Sequence, residues 1–188
     1  MTAKPYHHGN LKNEFIEKGL EYIDRFGVES LSMRKLAEEI GVSSAAPYAH
    51  FKNKDAFLEA VRDYINEKLI TALREALEKC RDRKKILLDL GKSYVLFFYG
   101  NPLYYQFLFT RGSIDINTNE PFLFFSGVAS QALGVMHDDK LSKKTLRKKT
   151  IALWAMVHGL AQIAMMDGAL DESRLDAEIV SILCSVEV

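Results

Sequence analysis

From Ile40 to Lys54 this chain holds no acidic residue, although its 25 Lys and Arg are matched by 25 Asp and Glu overall. The same stretch offers Ser43, Ser44, Tyr48 and His50 as hydrogen-bonding groups and Lys52 and Lys54 as cations. Hydroxyl, imidazole and ammonium groups gathered without a carboxylate are the groups that grip phosphate oxygens. Ala45 and Ala46 are small enough to let a backbone come close, and their methyls can pack on thymine methyls. Singly, Tyr48 and His50 read better as ordinary surface residues of a helical hairpin. Only in combination with the elements around them do they point to nucleic acid. The formal net charge is zero, so composition as a whole carries no such signal.

Those elements are helical, and no stretch alternates as a strand would. A first helix is expected from Leu11 to Phe26, with Asn10 as cap and Gly27 as stop. Leu11, Phe15, Gly19, Ile23 and Phe26 form its buried side. Glu14, Glu17, Glu21 and Asp24 line a side that must face water and would repel phosphates. A second helix begins after Ser32 and ends at Ile40 before Gly41, with Met33, Leu36, Ala37 and Ile40 inward. A short third helix follows from Ser44 to Phe51, capped by Ser43, with Pro47 in its first turn or just beyond. Two short helices around Gly41-Val42-Ser43 make a helix-turn-helix pattern, whose second helix enters the major groove. Asn53 caps a long helix reaching about Cys80, on which Glu75 and Lys79 are spaced to pair.

The run Tyr48-Ala49-His50-Phe51-Lys52-Asn53-Lys54, preceded by Leu36-Ala37 and Gly41-Val42-Ser43, resembles the signature of the TetR/AcrR family of regulators. Tyr6-His7-His8-Gly9-Asn10-Leu11, Ala45-Ala46-Pro47-Tyr48 and Trp154-Ala155-Met156-Val157-His158-Gly159-Leu160 resemble one branch of it. The resemblance implies an all-α fold: a three-helix DNA-binding domain at 1–60, joined by a long helix to a helical ligand-binding and dimerisation domain at 61–188. It implies that Tyr48 and His50 contact phosphates, and that Lys54 does so with help from its helix dipole. Arg34, Ser43, Ser44 and Ala45 would supply further backbone and base contacts, and Phe51 would be core. Ala49 departs from the larger or basic residue common there, which removes a candidate base reader. Lys4, His7 and His8 form either an arm on the DNA or a disordered tail.

Beyond Arg81 the helices expected are Ile86 to Tyr99, Pro102 to Phe109, Glu120 to about His137, Ser142 to Gly168 and Asp171 to Val186. Thr110 to Asn119 reads as a polar loop. Tyr94, Phe97, Phe98, Tyr105, Phe109, Phe125 and Trp154 belong to a dense set of aromatics. That set reads as a packed core or, as the family implies, as the lining of a site for a small apolar or aromatic effector. His158, Gln162, Gln106 and tyrosine hydroxyls would orient such a ligand. Apolar residues on nearly every side between Ile151 and Met166, with the stripe Leu175, Ile179, Ile182 and Leu183, suggest a four-helix bundle with a second copy. The partner expected is therefore double-stranded DNA with a palindromic site, met by a homodimer whose usual mode in the family is repression.

Other classes find little support. No Gly-rich phosphate loop, nucleophile motif or metal-ligand spacing suggests an enzyme or a cofactor. His137-Asp138-Asp139 reads as a solvated turn, and Lys143, Lys144, Arg147, Lys148 and Lys149 as a solvated face. Cys80 and Cys184 match no redox or metal spacing and suit a reducing, cytoplasmic setting. Ile151 to Met166 is too short to span a membrane. A helical small-molecule carrier with a purely structural N-terminal hairpin is the competing reading.

Overall fold

The computed structural model describes residues 11–82, 85–109, 115–137 and 140–186, and the regular structure among them is helical throughout. Helix α1 (Leu11–Phe26) buries Leu11, Phe15, Gly19 and Ile23. It buries Ile16, Leu20 and Tyr22 as well, because α2 (Met33–Ile40), α3 (Lys54–Lys79) and α5 (Pro102–Phe109) cover more than one face. Glu14, Glu17, Glu21 and Asp24 are all exposed. Phe26 is not part of the core: at the helix end it is 54% exposed, flanked by the Tyr22 ring and the Arg25 guanidinium. Gly27 then turns the chain at φ 77°.

Helix α2 buries Met33, Leu36 and Ala37. Ser32 holds the extended N-cap backbone, but its hydroxyl makes no capping bond. Asn53 caps α3 as expected, its Oδ1 accepting from the Ala56 N–H at 2.8 Å. Helix α3, 26 residues long, turns Phe57, Val61, Ile65, Leu69 and Leu73 inward, one side chain per turn. Its residues Glu75 and Lys79 pair at 3.3 Å on the exposed side.

Helix α4 (Ile86–Tyr99) is central, packing on α3, α5, α6 (Glu120–Met136), α7 (Lys143–Ala164) and α8 (Leu175–Cys184). Two expected boundaries differ. Helix α7 leaves helical geometry at Met165 rather than Gly168, where the last N–H groups turn to tighter bonds with Gln162 and Ile163. A 3-10 turn at Glu172–Arg174, capped by the Asp171 carboxylate, precedes α8, which stops at Cys184. The stripe expected on the last helix is also largely consumed within the chain. Leu175, Ile179 and Leu183 are buried, and only Ile182 remains partly open. No helix of the described residues is long and apolar enough to cross a membrane.

One close approach sets the spacing of the N-terminal helices. A Cβ on Gly19 would stand 2.3 Å from the tip of the Phe57 ring. The ring therefore packs directly on the α1 backbone, which no larger residue permits. We expect Gly19→Ala to destabilise the protein by about 1–3 kcal/mol through overpacking. Denaturant unfolding would show this as a lower midpoint at unchanged slope.

Candidate nucleic-acid interface

The acid-free stretch is shaped first by Gly41. At φ 81° it ends α2, its N–H bonding the Glu38 carbonyl at 3.1 Å while the Val42 N–H bonds that of Ala37 at 2.9 Å. Space for a Cβ is free there, so glycine answers to backbone conformation alone. The next element is shorter than the helix expected from Ser44 to Phe51. It is a single 3-10 turn at Ala46–Ala49, with Ala45 rather than Ser43 at the cap. Pro47 explains the difference. Without an N–H it cannot donate to Ser43, so the chain closes on tighter bonds, Ala46 to Ser43 at 2.9 Å and Tyr48 to Ala45 at 3.1 Å.

This turn is seated by its buried residues. Pro47 faces the core, and Phe51 is 2% exposed, edge-on to Phe57 at 5.0 Å and to Phe15 at 6.2 Å. The polar residues are left outside. Ser43, Ser44, Ala45, Tyr48, His50 and Lys52 are exposed, as is Arg34 near the start of α2, whereas Ala46 is only partly open. Tyr48 is 56% exposed, unusual for a ring of that size. Among the described residues, Arg34, Ser43, Ser44, Tyr48 and Lys52 have no side-chain hydrogen bond or ion pair, which leaves their donors free. The His50 ring leans on Phe15 at 6.2 Å.

Lys54 differs from the others. It is partly buried, and its Nζ donates to the Glu29 carbonyl at 3.4 Å, strapping the start of α3 to the loop between α1 and α2. Nothing in the spacing announces that bond. Sequence reasoning also passed over Lys35, exposed beside Arg34 on the first turn of α2. The first amides of α3 point out of the helix end, where a phosphate oxygen is favoured. The surface thus gathers hydroxyls, amides and cations around a turn thin enough to approach a duplex. Asn10 and the segment holding Lys4, His7 and His8 lie outside the described residues.

The aromatic set divides. Tyr94, Phe98 and Phe125 are fully buried or nearly so, and Tyr105, Phe109 and Trp154 close around His158. The Tyr94 hydroxyl meets His158 Nδ1 at 3.0 Å, and the Tyr105 hydroxyl meets Nε2 at 3.0 Å. A neutral imidazole has one donor and one acceptor, so one tyrosine donates and the other accepts. Burial pushes the His158 pKa below its ordinary value and raises those of Tyr94 and Tyr105, so all three stay neutral. Ring centroids around His158 and Trp154 lie 4.4–6.4 Å apart, the spacing of packed rings, so this region is filled. Two expected members stand apart: Gln162 is exposed, and Phe97 lines a groove against α3 with Ala72 and Glu75.

Residues 15–61 match the family described as bacterial regulatory proteins, tetR family. An uncharacterized HTH-type transcriptional regulator of Mycobacterium tuberculosis is 24% identical over 166 residues, 88% of this chain and 75% of that protein. The class A tetracycline repressor of Escherichia coli is 43% identical, but over only 27% of this chain and 24% of its own length. Among solved structures, a protein of unknown function from Rhodococcus sp. RHA1 shares 25% identity at a TM-score of 0.74, covering 97% of this chain and 96% of its own. The transcriptional regulator FadR from Bacillus subtilis in complex with stearoyl-CoA has the same fold. It superposes at a TM-score of 0.71 with 18% identity, over 92% of this chain and 97% of its own.

The imidazole trio has a consequence for pH. In the unfolded chain His158 takes a proton near pH 6.5, whereas the folded protein resists it. Its contribution to stability is complete above that value and is lost as pH falls toward the lowered folded pKa. His158→Gln keeps a donor and an acceptor but cannot titrate. Thermal unfolding of that variant between pH 7 and pH 5 should show a shallower loss of stability than the parent protein.

Proposed function

We propose that this chain, whose residues 15–61 match the tetR family of bacterial regulatory proteins, is a DNA-binding transcriptional regulator. Residues 1–60 serve as the DNA-binding domain and 61–188 as the ligand-binding and dimerisation domain, with α3 passing unbroken between them. The observation that carries the reading is the exposed, acid-free turn seated by Phe51. Tyr48, His50 and Lys52 hold phosphates, and Lys54 adds charge at the mouth of α3. Arg34, Ser43 and Ser44 complete the grip, while Ala45 and Ala46 let the turn approach base edges in the major groove.

A second copy docks through α7. Ala152, Ala155 and Ile163 are exposed on it at helical spacing, with Gly159 partly open between them and Met166 exposed just past its end. Nothing lies within 4 Å of where a Gly159 side chain would stand, so a partner helix can come close along this line. Ile182 of α8, partly open, is the remaining candidate from the last helix. Such a dimer presents two turns to successive major grooves about 34 Å apart. The protein represses by occupying a palindromic site and leaves it when an effector favours a different spacing of the two turns. An apolar or aromatic effector would enter by parting the rings around His158. The setting is cytoplasmic, and the role requires no catalysis.

Binding to DNA from upstream of its own coding region, followed by fluorescence anisotropy at several salt concentrations, tests the reading. Affinity should fall steeply with salt, and Lys52→Ala should reduce the slope by about one counterion. Tyr48→Phe should weaken every site similarly, by about two- to tenfold for one lost hydrogen bond. No retention even at low salt would favour the carrier reading instead. Sedimentation should show Ile163→Glu as a monomer where the parent protein is a dimer; an unshifted dimer would place the interface elsewhere.

A further inference from the structure

The stretch from Ile40 to Lys54 is free of acids along the chain, but the fold brings one to its edge. Lys54 Nζ donates to the main-chain carbonyl of Glu29 at 3.4 Å, so the loop between α1 and α2 lies against the start of α3. The Glu29 side chain is exposed, and among the described residues no hydrogen bond or ion pair engages its carboxylate. That carboxylate stands one side-chain length from the carbonyl that holds Lys54. It is therefore inside the roughly 10 Å over which charges act on one another at ordinary salt.

The loop that carries Glu29 is tied down on several sides. The Tyr22 hydroxyl of α1 donates to the Ser30 carbonyl at 3.3 Å, and the Ser30 hydroxyl reaches the carbonyls of Phe26 and Gly27 at 2.6 and 2.7 Å. Leu31 is buried, and its N–H bonds the Val28 carbonyl at 3.2 Å. The backbone at Glu29 is thereby fixed, and rotation of the side chain moves the carboxylate only within the neighbourhood of Lys54. Of the acids that flank the stretch in sequence, Glu39 is paired with Arg25, and Asp55 stands in the first turn of α3, where the helix dipole favours a carboxylate. Glu29 lies outside both neighbouring helices and is unpaired, so stability of the fold gives no account of it. Its evident effect is on phosphate: a carboxylate beside Lys54 lowers the positive potential there and repels an approaching backbone.

We propose that Glu29 is an affinity-limiting residue of the DNA interface, whose carboxylate holds down phosphate binding at the start of α3. Its role is opposite in sign to that of Tyr48, His50 and Lys52, and it rests on the regulator reading. Non-specific binding to a duplex is essentially all electrostatic, so a built-in repulsion keeps the hold on arbitrary DNA weak. Retention then depends on the contacts that the turn makes with base edges. The same residue thus serves twice: its carbonyl positions Lys54, and its carboxylate moderates the charge that Lys54 offers.

Fluorescence anisotropy of the full chain tests this on two duplexes, DNA from upstream of its own coding region and the same sequence shuffled. Glu29→Gln should bind both about two- to fivefold more tightly at about 50 mM salt, the effect of one charge acting across about a Debye length. The gain should fade as salt rises to roughly 300 mM, so affinity should fall more steeply with salt than in the parent protein. Glu29→Asp keeps the charge and should bind as the parent does. Glu75→Gln changes the net charge equally but about 30 Å further along α3, at 1.5 Å per residue, and should leave affinity unchanged. The melting temperature of Glu29→Gln should match the parent's, because the carbonyl that holds Lys54 remains. The inference fails if Glu29→Gln binds no more tightly than the parent, or if Glu29→Asp or Glu75→Gln gains as much. Retention of the parent on the upstream duplex decides the regulator reading separately. Without retention at low salt both fall, whereas retention with an unchanged Glu29→Gln overturns this inference alone.

Discussion

The meeting of Phe51, Phe57 and Phe15 above Gly19 is the contact on which the rest of the N-terminal half depends. A single 3-10 turn cannot hold itself in water, since one or two hydrogen bonds do not offset the entropy of ordering its residues. The turn at Ala46–Ala49 exists because Pro47 and Phe51 are anchored on either side of Tyr48. Exposure of Tyr48 and burial of Phe51 are two results of one packing arrangement. A change in the core beneath it would therefore appear as a change in DNA affinity, with no DNA-facing residue altered.

Helix α3 carries that arrangement into the second half, and its ties to neighbours are polar as well as apolar. The Tyr64 hydroxyl donates to the Glu17 carboxylate of α1, and Lys68 stands over the Tyr64 ring at 4.7 Å. Burial and the hydrogen bond to Glu17 push the Tyr64 pKa up to about 12, so its proton stays in place at any physiological pH. Tyr104 of α5 neighbours the same group, and Tyr105 on the opposite side of α5 reaches His158 of α7. Helix α5 is short, yet it touches α1, α3 and α4. Displacement of α5 would be felt at both ends of the molecule. A packed element with two stable settings is the physical requirement for a switch.

Much of this was legible from residue pattern. Caps, glycines and periodicity placed α1 through α6 closely, because each boundary is set by local chemistry such as Asn53 on Ala56 or Gly27 and Gly41 at positive φ. Fold class and the exposed polar turn followed from the same signals. What failed did so for non-local reasons. Phe26 has the right spacing to be core but stands exposed at the last residue of α1. The stripe on α8 looked available for a partner, yet α4 takes most of it; a Cβ on Gly91 would stand 3.4 Å from Leu183. Gln162 stands one turn beyond His158 on the same helix and is exposed there, a difference that spacing along α7 does not reveal. Glu29 gave no signal, since an acid in a loop is unremarkable until its neighbours are known.

Zero net charge conceals how charge is distributed, and that bears on why so plain a composition can meet DNA. Glu39 of α2 pairs with Arg25 of α1 at 3.4 Å. An exposed pair of this kind contributes little to stability. Its greater effect is electrostatic: a carboxylate beside the contact surface is partly neutralised within the protein, where it would otherwise repel phosphate. The acids of α1 are confined to the water-facing side of that helix, so the zero sum of charges in the composition is reached without an acid inside the stretch from Ile40 to Lys54.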